Sequence, residues 1–148
     1  MLVDVSTVLD CPAEKAWNEI QTSALHQRII RPLARIVALP GSPLPARWEE
    51  GRTLRCSLYI FGVVPIGVHT IFLESIDHDR CEIQSREHDA LIKRWDHHIS
   101  IEPCGAGRAL YRDRIEIDAG PLTVAVWAWA NWFYRHRQRR WRALARTL

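Results

Sequence analysis

The last quarter of the chain, Pro121 to Thr147, reads PLTVAVWAWANWFYRHRQRRWRALART, and nothing in it stops a helix once Pro121 has started one. Gly120 breaks the preceding segment, and the fixed φ of proline suits a first helical position. Leu122, Val126, Trp129, Phe133, His136, Arg140 or Trp141, Leu144 and Leu148 recur at steps of three and four. This spacing predicts one long terminal helix whose stripe is apolar for three turns and mixed afterwards. The first half therefore requires a broad surface to lie on, and the second half is expected to be mostly solvated. The upstream chain must supply that surface.

It has the pattern to do so. Leu2 to Leu9 alternates, with Val3, Val5, Thr7 and Leu9 on one face, and reads as a half-buried strand. A first helix follows, with Cys11 at the cap, Pro12 in the first helical position, Glu14 in the first turn and Ala13, Ala16, Trp17 and Ile20 inward. A second short helix runs from a cap at Ser23 through Leu25, Ile29 and Ile30, and Arg31-Pro32 closes it. Strands are expected at Leu33–Leu39, Arg52–Phe61, Val64–Ile76, Cys81–His88, Lys93–Ile101 and Arg108–Ile117, with a rigid loop at Pro40–Pro45 and turn residues between the later strands. Short connections make those strands an antiparallel meander.

Length and composition restrict what such a chain does. At 148 residues with 47% apolar and 25% charged residues, one domain spanning 1–148 can bury its own core without disulfides or metals. The N-terminus lacks a basic segment followed by an apolar one, and Leu122 to Ala130 is far too short to cross a bilayer. A cytoplasmic protein without a transmembrane segment is expected. Cys11, Cys56, Cys81 and Cys104 form no CxxC pair, so free thiols are expected rather than a redox or zinc motif. No cofactor is indicated. Arg135, Arg137, Arg139, Arg140, Arg142 and Arg146 crowd the end of the terminal helix, where cations suit the helix dipole. They read as a solvated face in preference to a site for nucleic acid or anionic lipid.

Strand, two helices, six strands and one long helix make an α+β fold in which a curved sheet wraps the terminal helix. With Pro12-Ala13-Glu14-Lys15-Ala16-Trp17 at the first helix, Trp48 with Gly51, the Trp95-Asp96-His97 strand, Asp113 and Gly120-Pro121-Leu122, the chain resembles the SRPBCC superfamily. This is the START and Bet v 1 group, which includes polyketide cyclase or dehydrase-like proteins. The resemblance implies a helix-grip fold over nearly the whole chain. The family pattern has a second histidine two residues after His97 and a glycine-proline pair before the tryptophan strand; this chain has Ile99 and Ala90-Leu91 there.

Period-two alternation assigns faces. Trp95, His97, Ile99 and Ile101 form the apolar set of one strand, and Tyr111, Asp113, Ile115 and Ile117 that of the last. A turn centred near Gly105 would set His97 opposite Asp113, Ile99 opposite Tyr111 and Trp95 opposite Ile115. Opposed residues lie about 5 Å apart at Cβ, close enough for an imidazole and a carboxylate to hydrogen-bond. A hairpin centred near Ala90 would add Cys81, Ile83, Ser85 and Glu87 to the inward face. Between Val64 and Ile76, Val68, Thr70 and Phe72 compete with His69, Ile71 and Leu73, and alternation alone leaves the phase open.

The His97 and Asp113 pair has two readings: a mutually satisfied polar pair that orients a ligand, or a general base with Asp113 as its orienter and Tyr111 or Ser85 as polar contacts. His97 and His98 point to opposite faces, and no metal site is expected. Of the helix aromatics, Trp129 and Phe133 are on the stripe, while Trp127 and Trp132 point to a sheet edge or a neighbouring subunit.

Three functions remain. The first is binding of a hydrophobic or amphipathic small molecule, lipid-, polyketide- or aromatic-like, between sheet and terminal helix. Trp95, Ile99, Ile115, Val126, Trp129 and Phe133 would give apolar contact, and His97, Tyr111 and Asp113 would orient a polar group. The second is a cyclase or dehydratase with His97 as acid or base, and the third a surface module using the terminal arginines. Either a monomer or a homodimer fits.

Overall fold

A computed structural model describes residues 1–148. The elements are β1 (Leu2–Leu9), α1 (Ala13–Ile20), α2 (Ser23–Ile30), β2 (Ala34–Ala38), β3 (Thr53–Ile60), β4 (Val64–Asp77), β5 (Glu82–His88), β6 (Arg94–Pro103), β7 (Ala109–Asp118), a 3-10 turn (Gly120–Leu122) and α3 (Thr123–Ala145). All seven strands form one antiparallel sheet in the order β1-β7-β6-β5-β4-β3-β2, so β1 and β2 are the edges. With α3 against its concave side this is the helix-grip arrangement expected from the sequence. No helix is long and apolar enough to cross a membrane.

Two caps differ from expectation. Pro12 itself occupies the N-cap of α1, with no side-chain cap. Thr22, not Ser23, caps α2, its hydroxyl accepting from the Leu25 N–H at 3.2 Å. Arg31 is extended, as the residue before a proline should be.

The strand registers correct the expected pairing. His97 stands opposite Ile115, Ile99 opposite Asp113 and Trp95 opposite Ile117. The β6–β7 turn is centred one residue later than expected, because β6 continues to Pro103 and the Cys104 N–H bonds Arg108 O at 2.9 Å. The β5–β6 turn is likewise later, pairing Ser85 with His97. There the Asp89 carboxylate accepts from the N–H groups of Leu91 and Ile92, both at 2.8 Å, and fixes the turn. Moving a turn centre by one residue changes partners by two, so every residue keeps its face. Ile83 and Ser85 are buried and Glu87 faces inward, but Cys81 is in the turn before β5.

In β4 the inward phase is His69, Ile71 and Leu73, all buried, while Val68 and Phe72 are exposed. A bulge after Leu73 ends that phase.

The terminal helix reverses the expected division. Its second half is the better buried, through Phe133, Tyr134, Arg137, Gln138, Trp141 and Ala145. Leu122 in the turn before it and Val124 in its first half are exposed, and Val126 and Trp129 are only half-buried. Arg137 is not a solvated arginine at all: it is 2% exposed. Arg135, Arg139, Arg140, Arg142 and Arg146 do face solvent. Trp127 covers the edge of β1, donating from Nε1 to Leu2 O at 2.7 Å.

All four cysteines are free. Burial, with the charge of Glu87 adding to it, pushes the Cys56 thiol up to about 11, so it behaves as a small apolar side chain.

Candidate functional site

Between the sheet, α2 and the first half of α3 lies a cavity of about 430 Å³. Of its 21 lining residues 17 are hydrophobic, which makes the four others conspicuous: His26, His69, Glu87 and His97. Phe61, Ile66, Leu91 and Leu122 line the cavity and are also exposed, so they mark its mouth.

β4 and β5 place His69 and Glu87 as neighbours across the pleat. His69 Nε2 lies 2.9 Å from a Glu87 carboxylate oxygen and Nδ1 lies 3.1 Å from Asp89. Both ring nitrogens meet carboxylates, so both carry protons. Burial works against that charge, but the hydrogen bonds to Asp89 and Glu87 outweigh it and hold His69 up at about 9. Burial similarly opposes the Glu87 charge, yet the His69 hydrogen bond and charge bring Glu87 down to about 2. The other Glu87 oxygen accepts from the Ser85 hydroxyl at 2.6 Å.

His26 faces this cluster from α2. Burial, with the positive charge of Arg137 adding to it, pushes it down to about 3, so its ring is neutral. It packs edge-on against Trp48, its ring making no hydrogen bond within the chain.

Behind the wall is a second network. His97 Nε2 lies 2.8 Å from the Asp113 carboxylate, which also accepts from the Tyr111 hydroxyl at 2.7 Å, the Arg137 guanidinium at 2.5 Å and the Gln138 amide at 3.0 Å. The slipped register sets the His97 and Asp113 side chains diagonally, yet they still meet. Burial opposes the Asp113 charge, and the Arg137 charge with the His97 hydrogen bond holds its pKa below the usual carboxylate range. The guanidinium also packs near the rings of Tyr111 and Tyr134, at 5.9 and 5.5 Å from their centroids. Tyr134 accepts from Trp95 Nε1 at 3.2 Å, and its oxygen is 3.5 Å from His97 Nδ1. Burial keeps the phenols of Tyr111 and Tyr134 well above their usual range, so both stay protonated.

Of the residues singled out in the sequence, Trp95, His97, Val126, Trp129 and Phe133 line the cavity. Ile99, Tyr111, Asp113 and Ile115 are buried in the layer behind it. Trp129 and Phe133 stack at 4.9 Å and 16°. The alternation pattern put Glu87 inward without giving it a role, and His69 belonged to an undecided phase. His26 stands three and four residues before Ile29 and Ile30, and Arg137 stands four from both Phe133 and Trp141, which are the helical signals that could have found them.

Residues 7–146 match the family model described as domain of unknown function (DUF8410). No curated protein matches the chain. Among solved structures, the chain is similar to a START superfamily protein from Mycobacterium smegmatis, at TM-score 0.72 and 16% identity, covering 99% of this chain and 97% of that one. It is also similar to the Zhui aromatase/cyclase from a Streptomyces species, at TM-score 0.70 and 13% identity over 99% and 93% of the two chains. A third is a truncated norcoclaurine synthase from Thalictrum flavum, at TM-score 0.61 and 13% identity over 85% and 79%. At these identities the likeness establishes the START-like fold.

Proposed function

The chain belongs to the DUF8410 family and has the START-like helix-grip fold, and from that premise we propose that it binds a hydrophobic or amphipathic small molecule, lipid-, polyketide- or aromatic-like. The observation that carries this reading is the cavity of about 430 Å³ with an almost wholly apolar wall and four polar side chains. That volume and polarity suit a small-molecule site, where apolar contact supplies affinity and a few fixed polar groups supply orientation. Trp95, Val126, Trp129 and Phe133 form the apolar contact, and Ile99, Tyr111, Asp113 and Ile115 support it from behind.

Titration with octanol and naphthylmethanol, followed by calorimetry, tests it. Saturable binding is expected, weakened about tenfold by Trp129→Ala, which removes one face of the stack with Phe133. Absence of saturable binding by any apolar probe would overturn the reading.

A second reading rests on His97, which lines the cavity with Nε2 held by Asp113. In it the protein is a cyclase or dehydratase for a polyketide-like or aromatic substrate, His97 acting as acid or base through Nδ1 and Asp113 orienting the ring. It requires a pH-dependent rate that His97→Gln abolishes while binding survives. Loss of binding and rate together would point back to a purely orienting role.

A further inference from the structure

Apart from His97, the buried charges around the cavity do not cancel. Two cations and three anions lie in one connected group: His69 and Arg137 against Glu87, Asp89 and Asp113. Arg137 and Asp113 neutralise each other behind the wall. Glu87 and Asp89 then share the single imidazolium of His69, leaving one negative charge for His97 or a ligand to meet. Asp89, with a side chain 3% exposed, is turned into the β5–β6 turn and occupied by two backbone N–H groups. Glu87 is the member that reaches the cavity, and each of its oxygens has one hydrogen-bond partner, Ser85 on one and His69 on the other.

No lysine or arginine lines the cavity. His97 gives Nε2 to Asp113, so in the neutral ring Nδ1 is an acceptor, and it lies 4.0 Å from Glu87. Trp95, Trp129, Phe133 and Tyr134 add four aromatic rings to the lining, a side-chain type that attracts cations in preference to anions. A carboxylate brought here would meet a carboxylate in a mostly apolar cavity, and a neutral group would do nothing to compensate Glu87.

We propose that the ligand is an amphipathic amine whose protonated nitrogen sits on Glu87 beside His97 Nδ1, with its apolar body against Trp129 and Phe133. This rests on the binding function proposed above.

Naphthylmethylamine, naphthylmethanol and naphthoate share one bicyclic body and differ in charge, and calorimetric titration with each at neutral pH tests the assignment. The amine should bind at least about tenfold tighter than the alcohol, with the carboxylate weakest. In Glu87→Gln the amine-to-alcohol ratio should fall to within about twofold. In His69→Gln the uncompensated charge grows and the ratio should rise, so the two variants move it in opposite directions even if either loses stability. Alcohol or carboxylate binding as tight as the amine would overturn the amine assignment and leave the binding function standing. Failure of all three to bind would overturn both.

Discussion

His69 and Glu87 titrate at opposite ends of the accessible pH range, and each end has its own sign. His69 is raised from 6.5 to about 9 in the folded chain, so its contribution to stability is complete below about pH 6.5 and is lost as pH rises through about 9. Glu87 is lowered from 4.5 to about 2, so its contribution is complete above about pH 4.5 and is lost as pH falls toward about 2. Thermal melts should therefore show a plateau between these limits. His69→Gln should flatten the alkaline decline, which is on the order of 3 kcal/mol, and should also weaken the acid limb, because Glu87 is held down by the His69 hydrogen bond and charge; an unchanged alkaline slope would show that other groups carry it. At this scale the sequence was partly legible. His97 and Asp113 were found because a two-residue slip in pairing preserves faces, so an error in turn position did not move either side chain out of the interior. Arg137 was lost among five arginine neighbours, since charge density on a helix does not reveal which member points inward. Breaking its pair by Arg137→Met should cost about 3–5 kcal/mol by leaving Asp113 uncompensated. Adding Asp113→Asn should recover part of that loss in denaturant titrations.

The terminal helix is two elements in energetic terms. From Phe133 to Ala145 it is a core helix, with Trp141 wholly buried and Arg137 and Gln138 tied to β7 and β1. From Thr123 to Trp129 it is a cavity wall, half-exposed because the space beneath it is not filled by protein. The helix itself was legible from its start signal and uninterrupted length. Its better-buried half was not, because Leu122 on the apolar stripe is exposed and Val126 and Trp129 are only half-buried, whereas the polar Arg137 and Gln138 are buried. Trp141→Ala should cost roughly 3–5 kcal/mol in chemical denaturation, whereas Val124→Ser should stay within about 0.5 kcal/mol. Equal losses would contradict this division. The strands followed their alternation except where a bulge or a side-chain-fixed turn intervened. The bulge after Leu73 and the Asp89 turn are local geometries that period-two counting cannot contain.

Taken as a whole, the molecule gives up core. A seven-stranded sheet with a 23-residue helix could close over its own side chains, but here the helix packs closely only toward β1, β7 and α2. The cavity walls remain in contact with water through the mouth at Phe61, Ile66, Leu91 and Leu122. Apolar surface left wet is stability not gained, at about 25 cal/mol for each Å², and a ligand that covers it restores that stability to the folded state alone. At a hundredfold excess over Kd, binding should therefore raise the melting temperature by about 5–10 °C. Ala125 lines the cavity from α3 and is itself exposed at the helix surface, so Ala125→Phe should place a ring in the ligand's space. The free variant should melt about 2 °C higher, because its own side chain covers the wall. Its affinity for naphthylmethanol should fall about tenfold, and its ligand-induced shift should shrink accordingly. A variant that keeps both parental affinity and parental melting temperature would mean that ligands bind elsewhere. A variant that loses stability together with affinity would mean that the space under α3 is smaller in solution than the open wall between Ala125 and Trp129 implies.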